Sequence, residues 1–112
     1  MGKTCSVTTT DGNLYRGELC GGAFGVDGTR FPASSCVSIQ MDWYPNSAGS
    51  YHGGVVKLSD GTRLNVEMWA TGFLSKQVHI SLSGHVVLFV ESLGKEVKIE
   101  SDQIKYLSVK AA

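Results

Sequence analysis

Charge is scarce in this chain. Asp, Glu, Lys and Arg supply 18% of its 112 residues, below the roughly one quarter of an ordinary domain. The ten basic and ten acidic side chains cancel. That removes the broad electrostatic attraction on which most nucleic-acid and anionic-membrane binding depends. No apolar run approaches the length of a membrane span, and the N-terminus lacks the apolar core of a signal peptide. The expectation is a soluble protein, cytoplasmic or a mature secreted chain, with no membrane span. Cysteine is also sparse and odd in number, so Cys5, Cys20 and Cys36 cannot all pair within the chain. No Cys-x-x-Cys or Cys/His spacing suggests zinc, and the three read as small buried apolar side chains. No long amphipathic helix is visible.

What is present is β-structure. Hydrophobic content is an ordinary 42%, and Gly, Ser and Thr fill the place of the missing charges, which suits turn-rich strands. A chain of this length buries roughly two-thirds of its unfolded surface, so it folds without a metal or a disulfide.

One pattern is written twice. Val7-Thr8-Thr9-Thr10-Asp11-Gly12 leads to Gly17-Glu18-Leu19 and then Phe24. Val56-Lys57-Leu58-Ser59-Asp60-Gly61 leads to Val66-Glu67-Met68 and then Phe73, at the same spacing. Asp-Gly between alternating apolar residues predicts a hairpin, with a type I′ turn whose two central residues have positive φ. The repeat resumes at the ends of the two segments, where Phe31, Cys36 and Ile39 match Ile99, Ile104 and Leu107. Between those points the second copy carries an extra hairpin, about Lys76 to Glu91, turning at Ser83-Gly84. The chain thus divides into a first β-module at 1–41, an aromatic Gly/Ser-rich linker loop at 42–54, and a second β-module at 55–112.

Within this frame, a first hairpin spans Cys5 to Cys20, and Gly21-Gly22 and Gly25 punctuate a short piece around Phe24. Asp27-Gly28 marks a turn, and Arg30-Phe31-Pro32 reads as a brief edge strand. Val86 to Val90 is apolar on both faces, which predicts a central strand or one that pairs with another copy. Ser101-Asp102-Gln103 predicts one 3₁₀ turn before a last strand from Ile104 to Val109.

Each module resembles the SH3-like and Sm-like small barrels of bacterial proteins. The similarity lies in Val7 to Leu19 with Phe31 to Ile39, and in Val56 to Met68 with Ile99 to Leu107. It implies an all-β fold, an internally duplicated SH3-like small barrel or barrel-like sandwich. It implies no activity, because such barrels host many functions.

No catalytic constellation is visible. His52-Gly53-Gly54 is similar to an oxyanion loop, yet no Gly-x-Ser-x-Gly elbow accompanies it, and a turn into the next strand explains it better. His79 and His85 face each other across the predicted Ser83-Gly84 hairpin, but no third ligand stands at a telling distance. Glu18 and Glu67 occupy equivalent, exposed strand positions. Three aromatics on the linker loop, Trp43, Tyr44 and Tyr51, offer amphipathic contact area of the kind used in recognition. With His52, Trp69 and Phe73 they form the candidate binding surface. The reading is a non-enzymatic binding or assembly module, without metal or cofactor, whose partner is a protein or another copy. A small ligand or glycan held by the aromatic loop is the alternative, and nucleic acid is disfavoured by the charge balance.

Overall fold

A computed structural model describes the backbone of residues 2–41, 53–71 and 77–111, and the side chains of 2–41, 53–67 and 80–111. Eleven strands follow in order among the described residues. They are β1 (Lys3–Thr9), β2 (Leu14–Val26), β3 (Thr29–Pro32), β4 (Cys36–Met41), β5 (Gly54–Leu58), β6 (Arg63–Val66), β7 (Met68–Thr71), β8 (Gln77–Ile80), β9 (Leu82–Val90), β10 (Lys95–Glu100) and β11 (Ile104–Ala111). The all-β reading holds. A nine-stranded sheet runs in the order β10-β9-β2-β1-β11-β4-β5-β6, with β3 also on β2, and β7-β8 form a separate ribbon. Every pairing is antiparallel.

Strands of the two predicted modules therefore share one sheet. β1 pairs with β11, β11 with β4, and β2 with β9. One face of this sheet carries the core. Alternation sends Cys5 and Val7, Ile39 and Met41, Val86 and Leu88, and Leu107 and Val109 to the same buried side. The sheet is rolled, so that β6 approaches β9. There Ser81 N–H donates to Glu67 O at 2.9 Å, and Glu67 N–H donates to Ser81 Oγ at 2.8 Å. Beyond this bridge the chain departs into the β7-β8 ribbon.

The repeated Asp-Gly turns have matching geometry. In the first, Gly12 N–H donates to Thr9 O at 3.0 Å and Thr9 N–H to Asn13 O at 2.9 Å. In the second, Gly61 N–H donates to Leu58 O at 3.1 Å and Leu58 N–H to Thr62 O at 2.8 Å. Only the glycines, at φ +90° and +92°, lie in the left-handed region. These are longer loops with a glycine bulge, so the type I′ expectation fails here. It holds instead at Asp27-Gly28, where φ is +48° and +86°.

Each of these turns leans on the 3₁₀ turn of the other half. Thr10 N–H donates to Gln103 O at 2.9 Å, and Ser59 N–H donates to Ser35 O at 2.8 Å. The 3₁₀ turn at Ser101–Gln103 is as expected, whereas its counterpart at Ala33–Ser35 was not foreseen. Both end alike, with Cys36 N–H on Ala33 O and Ile104 N–H on Ser101 O. β11 and β4 meet at Leu107 and Ile39, both fully buried and each three residues after the residue that ends its 3₁₀ turn.

Two further expectations are corrected. β2 does not stop at Cys20; it runs through Gly21 and Gly22 to Val26, 13 residues in all. Nor does the chain turn at Ser83-Gly84, which lies inside β9. Both glycine signals mark a close backbone crossing rather than a reversal. A Cβ on Gly22 would overlap the His85 carbonyl oxygen, and one on Gly84 the Ala23 carbonyl oxygen. Both glycines also have positive φ, +112° and +108°. Only glycine meets both demands at a strand interior.

The thiols divide. Cys5 and Cys36 are buried, as expected, but Cys20 is exposed on β2. Burial pushes the Cys36 thiol up to about 12, and burial followed by the nearby Cys36 charge pushes Cys5 up to about 12. Neither is a nucleophile near neutral pH.

Candidate functional site

The aromatic surface expected from the linker falls largely outside the described residues. Trp43, Tyr44, Tyr51, His52 and Phe73 all lie there, and for Trp69 the structure gives the backbone, opposite His79 in the β7-β8 ribbon. The paired-histidine idea fails on topology. His79 is on β8, whereas His85 sits on β9 between Ala23 and Glu100, so no hairpin sets the two histidines face to face. Glu18 and Glu67 are both exposed, as read. Val86 to Val90 is a central strand, but both of its edges are taken, by β10 and β2. It has no free edge with which to pair another copy.

The register creates a different surface, on the solvent side of the sheet. Residues directly opposite one another across β2, β1, β11, β4, β5 and β6 form an unbroken row: Arg16, Ser6, Ser108, Ser38, Lys57 and Arg63. Their neighbours along the strands, such as Cys5, Val7, Leu107, Ile39 and Val56, are buried, which fixes this row on the outer face. Three small hydroxyl residues occupy the centre and cations stand at both ends. Five inter-strand steps of about 4.8 Å separate the end residues by roughly 24 Å. The adjacent row runs through Leu14, Thr8, Tyr106, Gln40, Val55 and Asn65. It places one aromatic ring, Tyr106 at 43% exposure, in the middle of the face.

At the β2 end the surface is concave. Thr4, Ser6, Arg16, Ser108, Lys110 and Ala111 line a depression of about 280 Å³. Its polar groups are hydroxyls and two cations. The ion pair found among the described residues, Lys98–Glu100 at 3.4 Å, lies on β10 away from this depression. Arg16, Lys57, Arg63 and Lys110 thus have no carboxylate partner among the described residues. Glu18 is the nearest carboxylate in register, across Thr4 from Lys110. A wider groove of about 740 Å³ adjoins it, with charges of both signs from Lys3, Arg16, Glu18 and Glu91.

None of these residues stood out in the sequence. Each is an ordinary outward-facing strand position, exposed or half-buried, and the row exists only through pairing between strands distant in the chain. The available signal was the absence of acidic residues from the outward positions of β4, β5 and β11, among them Ser38, Gln40, Lys57, Tyr106, Ser108 and Lys110.

Among the described residues no group of three His, Cys, Asp or Glu side chains is placed to hold a metal ion. No helix among them is long and apolar enough to cross a membrane. Compared with protein-family models, curated proteins and solved structures, the chain matches none.

Proposed function

We propose that this chain is a non-enzymatic binding module, made of two copies of one small β-unit related to SH3-like and Sm-like barrels. It uses the outer face of the shared sheet as its recognition surface. The duplication is supported by the reciprocal hydrogen bonds from Thr10 to Gln103 and from Ser59 to Ser35, and by the meeting of Ile39 with Leu107. The observation that carries the binding reading is the row from Arg16 to Arg63, whose cations have no carboxylate partner among the described residues and flank hydroxyls on the sheet. A sheet holds such groups in fixed register, which lowers the ordering cost of binding.

The test is a retention panel of immobilised peptides, glycans and oligonucleotides, run on the wild type and on an Arg16→Ala/Lys57→Ala variant. The expected outcome is one ligand class retained by the wild type and released by the variant at an unchanged melting temperature. Retention of nothing by the wild type, or equal retention by the variant, refutes the reading.

A further inference from the structure

We infer that the outer face takes an extended acidic polysaccharide whose sugars carry carboxylates, a polyuronate. This rests on the binding reading above and names its ligand. Three features of the face select that chemistry.

The depression between Arg16 and Lys110 has the composition of an anion site, two cations with the hydroxyls of Thr4, Ser6 and Ser108. Arginine matches a carboxylate through two parallel N–H donors, and lysine adds a point charge. The cations are also separated. Arg16 stands at one end of the row and Lys57 and Arg63 at the other, with Ser6, Ser108 and Ser38 between them and Lys110 two places along β11 from Ser108. A ligand that satisfies both ends carries anionic groups spread along a polymer, with hydroxyl-rich stretches between them. Finally, the face offers two exposed aromatics, Tyr106, flanked by Gln40 and Thr8, and Phe89, opposite Glu18. Each ring suits stacking on a sugar, and the side-chain amide of Gln40 and hydroxyl of Thr8 suit sugar hydroxyls. A single-stranded nucleic acid instead calls for a groove of one positive sign, whereas the groove beside Phe89 also carries Glu18 and Glu91.

Isothermal calorimetry at low salt tests this with oligogalacturonate of about ten sugars as the probe. The parallel ligands are a neutral glucan of the same length, a sulfated glycan and a thymidine oligonucleotide. We expect oligogalacturonate to bind, the other three to bind at least tenfold more weakly, and affinity to fall as salt rises. Arg16→Ala/Lys110→Ala and Lys57→Ser/Arg63→Ser, both exposed changes, should each weaken oligogalacturonate at least tenfold without moving the melting temperature. Their combination should abolish binding. Absence of oligogalacturonate binding overturns the inference, as does binding that both variants retain. Tighter binding of the oligonucleotide or the sulfated glycan, lost in the same variants, also overturns it but leaves the binding reading standing. Failure of every ligand in the retention panel removes both.

Discussion

The two halves of the molecule build the same corner from different residues. In the first half Phe31, Ala33, Cys36 and Ile39 fill the space beneath the 3₁₀ turn; in the second, Ile99, Ser101, Ile104 and Leu107 do so. All eight are buried. Ala33 is apolar, whereas Ser101 needs a partner and finds it, its Oγ donating to Leu82 O at 3.2 Å. The polarity of Ser101 is accommodated because β9 passes near enough to accept its hydrogen bond. The halves diverge between the Asp-Gly turn and this corner. In the first half β2 runs through that region as one strand of 13 residues. In the second the chain leaves the sheet after Val66 and returns at Leu82, with the β7-β8 ribbon between. An excursion is tolerated there because Glu67 and Ser81 close its base with two hydrogen bonds.

The strongest way to break the correspondence is at its centre. Ile39→Ala and Leu107→Ala each remove a fully buried side chain where β4 and β11 meet. Each should cost about 2–5 kcal/mol by urea denaturation. If the halves are equivalent, the two costs agree to within about 1 kcal/mol; a wide gap would show that one half dominates the core.

A smaller effect sharpens the contrast between Ala33 and Ser101. Ser101→Ala removes the donor to Leu82 O and should cost about 1 kcal/mol. Ala33→Ser inserts a hydroxyl at the matching buried place and should cost about 1–3 kcal/mol, depending on whether a partner is found. Neutral behaviour of both would mean that the corner is wetter than its burial indicates.

The smallest effect compares the two Asp-Gly turns. The Thr9 hydroxyl and then the Asn13 backbone N–H hold the Asp11 carboxyl below its usual range. The Thr62 hydroxyl and then its backbone N–H do the same for Asp60. A lowered folded-state value stabilises the fold above the ordinary aspartate value of 3.8, and that contribution fades as pH falls through the lowered one. Asp11→Asn and Asp60→Asn should each flatten the loss of stability below about pH 4, by similar small amounts, in melts recorded from pH 2 to pH 6. A loss of similar slope in the wild type and both variants would contradict this.

Local signals carried the strands and most of the turns. Asp11-Gly12, Asp27-Gly28 and Asp60-Gly61 were legible because glycine at positive φ is a local steric requirement. Ser101 to Gln103 was legible as a 3₁₀ turn for a similar reason. Gly22 and Gly84 misled because the same symbol serves two needs, a reversal or a place where two backbones nearly touch. Only the pairing of β2 with β9 tells them apart. The site was not legible at all. Ser6, Ser38 and Ser108 are unremarkable alone, and strand pairings between residues 70 and 102 apart in the chain put them side by side.

The sequence by itself determined the β-class, most turn positions and which face of most strands is apolar, since alternation and positive-φ glycines act within a few residues. The tertiary structure decided that strands of both halves share one rolled sheet, and which outward residues became neighbours. Those outcomes depend on strand order and register, set by burying one continuous apolar face, and no short window of sequence contains that information.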